Sequence, residues 1–230
     1  VTQHTGILTD DTSGVVKVVR AVFGTPAARL KYDLKAGEII EKVDGEKVFT
    51  KGDFTKACTK LAGEKVELTI LGLDKKTRTI SFKLMTYDTL WSKMDNEGLR
   101  NARRYVEKAS NGRLGYLHIK AMTTKHLRKF EQEVYSRSFG KDGLVIDVRN
   151  NPGGFIADRL LSILCHPSHA RTRPRNGEIS YPHGYLPKVT YHKPIIVLCN
   201  QNSTSNAEIF SHAIKTLKRG KVVGVPTAGL

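Results

Sequence analysis

Residues 194–224, PIIVLCNQNSTSNAEIFSHAIKTLKRGKVVG, constrain the fold more than any other stretch of this sequence. Ile195–Cys199 is an unbroken, β-branched apolar run, short enough to read as a buried strand. A polar turn leads into a predicted helix over 206–218, with Ala207, Phe210, Ala213, Ile214 and Leu217 recurring at helical spacing on one face. Gly220 ends that helix, and 221–224 returns to strand. Ser205 stands at the tip of the turn, where unpaired helix N–H groups and the positive dipole end stabilise a developing oxyanion. Ser205 and Glu208 also spell the S-x-x-E capping box, which needs no catalysis. On local pattern alone the cap is the better reading, so the rest of the chain must decide.

Upstream, residues 112–165 repeat the same alternation. A strand over 114–119, a helix over 125–135 and a strand over 144–148 lead through Asn150-Asn151-Pro152-Gly153-Gly154 into a helix over 157–164. Strands alternating with helices predict an α/β unit with a largely parallel sheet, whose ligands collect beyond the carboxyl ends of the strands. Three features fall at that edge: Ser205, the Gly153-Gly154 turn where backbone N–H groups can approach a ligand, and His118. A lone histidine on an apolar strand is more often a satisfied core group than a base. Its coincidence with the other two shifts the balance. Ser203 is the rival nucleophile in the same turn, and His212 lies two helical turns beyond Ser205. Asp147 reads as a structural acceptor paired with Arg149. Residues 165–191 form a long excursion rich in Pro, Gly, His and Arg, expected to be functional or to join subunits. Its Arg171, Arg173 and Arg175 suit acidic side chains or a peptide carboxylate, or equally a solvated loop.

The first 86 residues read differently, as an α+β unit of short strands over 14–22, 39–43, 65–71 and 77–84. Asp44-Gly45 marks a tight turn, and helices are expected near Ala27 and over 51–61. The result expected is a partly open barrel. Residues 87–111 form a charged amphipathic linker of one or two helices carrying Leu90, Trp91, Met94, Leu99, Tyr105 and Val106.

Charge and cysteine content narrow the function classes. Lysine and arginine outnumber acids 38 to 22, a formal charge of +16. The basic residues are scattered without a nucleic-acid-binding motif, so no nucleic-acid partner is expected. The 3 cysteines, Cys58, Cys165 and Cys199, lack metal or redox spacing, and the 8 histidines show no H-E-x-x-H arrangement. No metal, no cofactor and no membrane span are expected. No leader pattern is visible at Val1, where a mature or an excised chain could begin equally well.

Two resemblances follow from these residues. GTPAARLKYDLKAGEIIEKVDGEKV, with the helix and hairpin after it, resembles the PDZ domain in the permuted form of bacterial proteases, over residues 4–86. The resemblance implies that Thr5, Gly6, Ile7 and Leu8 hold the terminal carboxylate of a peptide that adds as a strand. Packing against a neighbouring domain is an equal alternative. GRLGYLHI, GLVIDVRNNPGG and CNQNSTSNAEIFSHAIKTLKRGKVVGVPTAG look like the core of tail-specific (C-terminal processing) peptidases and the tricorn protease. This second resemblance implies a crotonase/ClpP-like spiral core over 112–230 and a serine endopeptidase acting on peptides or unfolded proteins.

Tail-specific peptidases take their base from the lysine of P-T-x-G-K. Here Pro226, Thr227, Ala228 and Gly229 are followed by Leu230. The tricorn branch uses a histidine where His118 stands. The resemblance therefore implies Ser205 as nucleophile and His118 as base, with an oxyanion hole from the amides of Asn206 and Gly153 or Gly154. Ser203 lies off the family position and is expected to shape the turn. It places the acid that orients the histidine past residue 230, for which Glu208 is a poor substitute, so a truncated peptidase core is expected. The alternative is a catalytically impaired or non-catalytic PDZ-type binding protein. Ring-like homo-oligomers are implied by the tricorn likeness. Exported PDZ-bearing relatives point to an extracytoplasmic bacterial location, with the cytoplasm as the alternative.

Overall fold

A computed structural model describes residues 3–59, 63–167, 173–179 and 189–230. The chain divides into two compact units, Val1–Arg100 and Asn101–Leu230.

The first unit is built on strand alternation. β1 (Gln3–His4), β2 (Ile7–Asp10), β3 (Val16–Ala21), β4 (Ile39–Val43), β5 (Glu46–Lys47), β6 (Lys65–Leu71), β7 (Thr77–Lys83) and β8 (Met85–Thr86) are its strands. Five of them run in the order β2-β3-β4-β6-β7 with β5 beside β4, while β1 pairs with β8. Along β6, Val66, Leu68 and Ile70 are buried while Lys65 and Glu67 are exposed, the period of two that a half-buried strand requires. These side chains meet Ile80 and Phe82 of β7, and Ile7, Val18, Ile40 and Phe54, in one core. The Asp44-Gly45 turn forms as expected: both residues have positive φ, 48° and 86°, and Val43 pairs directly with Glu46. The strand path ends at β2 on one side and β7 on the other, so this is an open sheet.

Two helical expectations are refined here. The stretch near Ala27 is a pair of short 3-10 turns, Pro26–Ala28 and Leu30–Tyr32, because Pro26 starts a turn and Asp33 then adopts a left-handed conformation. Helix α1 covers Lys51–Ala57, opened by a capping box of Thr50 and Asp53, and the remainder of its expected span includes residues 60–62, outside the described residues. The linker is a single helix, α2 (Tyr87–Ala109), and the division between the two units falls within it.

The second unit alternates strand and helix. β9 (Leu114–His118), α3 (Thr124–Ser138), β10 (Gly143–Asp147), α4 (Ala157–Leu164), β11 (Ile195–Cys199), α5 (Asn206–Thr216) and β12 (Lys221–Gly224) follow in order. The sheet is wholly parallel, in the order β12-β11-β10-β9. Every residue of β10 is buried, which is why its sequence lacks alternation. Leu117, Ile146 and Val197 from the sheet pack with Phe130 of α3, Leu160 of α4 and Phe210 and Ile214 of α5. Truncating Phe130 or Phe210 would cost about 3–5 kcal/mol. Among the described residues no helix is long and apolar enough to cross a membrane, and no cluster of three or more potential metal ligands occurs.

Candidate active site

Parallel register brings the chemistry to one edge of the sheet. His118, the last residue of β9, lies opposite Asp147, and Asp147 opposite Leu198. The loops after these three strands therefore leave from the same edge.

Asn151 holds them together. It is fully buried; its Nδ2 donates to the Ile119 carbonyl (2.7 Å) and its Oδ1 accepts from the Gly153 amide (2.8 Å). Its carbonyl accepts from the Thr204 amide (2.9 Å). One asparagine thus fastens the end of β9, the glycine loop and the turn before Ser205. Sequence reasoning noted it only as a letter of the loop; an amide beside Pro-Gly-Gly at a strand end was the available signal. Residues after β9 close on the same loop, with Met122 N–H donating to the Gly153 carbonyl (2.8 Å) and Phe155 N–H to the Met122 carbonyl (2.7 Å). Gly153 has φ 89°, and a Cβ there would sit 2.8 Å from Ser205 Cβ and 2.9 Å from the Thr204 carbonyl oxygen. Only glycine lets the two loops approach this closely.

Ser205 is exposed and strained, with φ 52° and ψ −121°. Ser205 and Glu208 form the capping box expected from the sequence, yet a residue that only caps a helix keeps extended backbone angles. This conformation costs about 1–3 kcal/mol and must be held by its surroundings. Part of that hold is Glu208, whose carboxylate accepts from the amides of Ser205 (2.6 Å), Gly229 (2.7 Å) and Leu230 (3.3 Å). The Gly229 amide first, then those of Ser205 and Leu230 and the Thr227 hydroxyl, keep this carboxyl below the usual glutamate range. Glu208 is therefore engaged with the serine turn and the segment after β12. The Glu208 amide donates to the Ser205 carbonyl (2.8 Å).

Ser203 differs in every respect. It is fully buried, its hydroxyl donates to the Val148 carbonyl (2.8 Å), and it accepts from the Asn200 amide (3.1 Å). It shapes the turn, as expected. His212 meets Thr216 on α5 (3.2 Å).

The amides expected to form an oxyanion hole are not equivalent. Gly153 N–H is committed to Asn151, whereas among the described residues no acceptor meets the amides of Gly154 or Asn206. Asn206 is the first residue of α5, and its side-chain Oδ1 accepts from the Ala157 amide at the start of α4 (2.8 Å). That bond fixes the Asn206 backbone relative to the glycine loop.

His118 is half-buried, with Nε2 3.5 Å from the Arg149 carbonyl oxygen. Arg149 is anchored in turn: its guanidinium donates to Asp147 (2.6 Å), whose carboxylate also accepts from the Tyr116 hydroxyl (2.6 Å). Burial works against ionisation of Asp147, but the Arg149 and Tyr116 hydrogen bonds outweigh it and hold the carboxyl below its ordinary range. Burial, then the Asp147 bond, push the Tyr116 phenol up. A second imidazole, His126, bonds Thr123 (2.8 Å); burial, then Lys125, Lys129, His118 and Lys120, lower its proton affinity and favour its neutral form.

Cys58 and Cys199 are buried, and burial raises the thiols of Cys165 and Cys199, as in unreactive cysteines. Arg173 Nε donates to the Gly177 carbonyl (3.3 Å) in an exposed turn, Arg175 is exposed, and Arg171 lies outside the described residues. In the first unit Thr5, Gly6 and Ile7 are buried and Leu8 is half-buried. There the Gly6 amide donates to His4 Nδ1 (2.9 Å) and the Ile7 amide to Thr5 Oγ1 (3.2 Å).

Comparison with known proteins accords with this geometry. Residues 113–230, just over half of the chain, match the model of peptidase family S41. The chain is 30% identical over 197 residues to a tricorn protease homolog of Saccharolobus solfataricus, covering 85% of this chain and 17% of that protein. It is 29% identical over 198 residues to the tricorn protease of Thermoplasma acidophilum, covering 84% and 17%. A crystal structure of the tricorn protease superposes over 99% of this chain and 22% of its own, with a TM-score of 0.76 at 26% identity. The chain thus spans about a fifth of the length of these proteins, and its mixed α/β fold is similar to theirs. By the match over its second unit, the chain belongs to peptidase family S41.

Proposed function

We propose that the second unit is a serine endopeptidase in which Ser205 is the nucleophile and His118 its general base. The observation that carries the reading is the conformation of Ser205: exposed, at φ 52° and ψ −121°, on a strand–turn–helix tip packed against Gly153. Strain of this kind is maintained where a side chain must be presented to a ligand.

In this reading Ser205 Oγ attacks the scissile carbonyl of a bound peptide while an imidazole nitrogen of His118 takes its proton. The negative charge that develops on the carbonyl oxygen is met by the amides of Asn206 and Gly154, the two that have no other acceptor among the described residues. The dipole of α5 adds to them. His118 returns the proton to the leaving amine as the C–N bond breaks, leaving an acyl ester on Ser205. Water, deprotonated by His118, then hydrolyses the ester and restores both residues. The half-buried setting of His118 suits an imidazole partly shielded from water.

The first unit, read as a PDZ domain, would take the C-terminus of a substrate along the free edge of β2, the terminal strand of its sheet. Carboxylate binding there requires the amides of Gly6 and Ile7 to exchange their present partners, His4 and Thr5. Assembly into a homo-oligomer belongs to the same proposal.

Labelling with a fluorophosphonate probe tests the catalytic assignment. Wild type labels, and Ser205→Ala and His118→Ala do not. Labelling that survives Ser205→Ala moves the nucleophile elsewhere. A wild type that stays unlabelled supports the binding-protein alternative.

A further inference from the structure

A polar cavity, of about 150 Å³, lies at the opposite end of β9 from His118, between the C-terminal half of α2 and the C-terminal half of α3. Arg103, Arg137, Lys141 and Glu107 line it, with Tyr116 and Ser136.

Its charges do not balance. Glu133 is shared by two guanidiniums, accepting from Arg103 Nη2 at 3.0 Å and standing 3.6 Å from Arg137 Nε, too far for a good hydrogen bond. Glu107 is occupied by Lys141 Nζ at 2.8 Å. Three cations therefore face two carboxylates, an excess of one positive charge. The Nε atoms of both arginines are buried, and among the described residues neither meets a hydrogen-bond acceptor. Burial first, and then the charge of Arg137, make Arg103 easier to deprotonate than an ordinary arginine, a sign that their repulsion is incompletely offset. The two side chains keep 24% and 37% of their surface exposed, so the cavity is reachable from solvent.

We propose that this cavity is a binding site for a small tetrahedral oxyanion, of phosphate or sulfate size. Guanidinium forks pair with such oxygens through parallel N–H donors, and two of them can share one anion. A tetrahedral oxyanion offers more acceptors than the single carboxylate now shared, and its charge offsets the excess. The site is independent of the peptidase reading, since neither Ser205 nor His118 contributes to it.

The test is titration of the protein with sodium phosphate at constant ionic strength, following the Nε–Hε resonances of Arg103 and Arg137 in ¹H–¹⁵N spectra. The two resonances should move together along one saturable curve, with sulfate competing. Arg103→Lys and Arg137→Lys keep the charge but lose the fork, and each should weaken binding about tenfold. Three outcomes overturn the proposal: no saturable shift in wild type, an equal shift when chloride replaces phosphate, or wild-type affinity in both lysine variants. Saturation by acetate as tight as by phosphate would overturn the tetrahedral assignment. Should a variant fail to fold, the wild-type titration decides alone.

Discussion

Two loops in this molecule carry the backbone amides that the proposed function uses, and they differ in whether those amides are already occupied. At the carboxyl edge of the parallel sheet, the amides of Gly154 and Asn206 meet no acceptor among the described residues, and Ser205, beside Asn206 in the chain, is strained. At the start of the antiparallel unit, the amides of Gly6 and Ile7 are held by His4 Nδ1 and Thr5 Oγ1. The first loop is preorganised, its cost met during folding. The second, read as a carboxylate-binding loop, would have to break two bonds before binding. Preorganised donors suit a transition state that lasts an instant, whereas donors that must exchange suit reversible, weaker recognition.

The largest effect that separates the two loops comes from the serines. Ser205→Ala should abolish peptide hydrolysis while leaving the melting temperature near that of wild type. Ser203→Ala should retain the nucleophile but lose about 1–3 kcal/mol of stability, because it leaves the buried Val148 carbonyl and Asn200 amide short of a partner. Denaturant unfolding beside hydrolysis assays checks both. An inactive Ser203→Ala that remains folded would reverse the assignment.

His118→Ala should lower kcat by about 10²–10⁴ with little change in KM, the scale of a lost general base. Gly153→Ala comes next. Its Cβ would stand 2.8 Å from Ser205 Cβ, and displacing Ser205 by about 1 Å would cost about 10² in kcat. If Gly153→Ala keeps full activity, the close approach of the two loops has no catalytic role.

The smallest effects belong to the first unit and depend on pH. Burial, then the charge of Lys51, hold His4 below its ordinary 6.5. The unfolded chain therefore takes up this proton at a higher pH than the folded one. Stability from this group is complete above 6.5 and is lost as pH falls toward the lower folded value. Protonation also ends acceptance by Nδ1, freeing the Gly6 amide beside a new positive charge. A peptide with a free C-terminus should bind the protein several-fold more tightly below pH 6.5, and His4→Ala should remove that dependence. Binding indifferent to pH and to His4 would separate this loop from carboxylate recognition.

Much of this arrangement was legible in the sequence, for reasons that differ by region. The order of strands and helices in the second unit followed from apolar periodicity, and the turn at Asp44-Gly45 from its residue types. Local pattern does not rank Ser205 above Ser203, because both sit in one polar turn and S-x-x-E favours a cap. Backbone strain and burial distinguish them, and neither is written in a five-residue window. The role of Asn151 was hidden for the same reason: its three bonds reach Ile119, Gly153 and Thr204, two of them far along the chain. The short helix expected at Ala27 forms as 3-10 turns, a distinction set by the left-handed Asp33 that the letters after Pro26 do not carry. The charge imbalance at Arg103 and Arg137 needs two helices side by side before it can be seen.

The central claim is that Ser205 attacks and that Gly154 and Asn206 receive the oxyanion. A crystal structure of the protein after reaction with a small fluorophosphonate tests it most directly. The account predicts a single phosphorus atom bonded to Ser205 Oγ, with one phosphonyl oxygen about 2.7–3.1 Å from the amide nitrogens of both Gly154 and Asn206. A phosphorus on any other residue, or an oxygen on Ser205 that turns away from both amides, would contradict it.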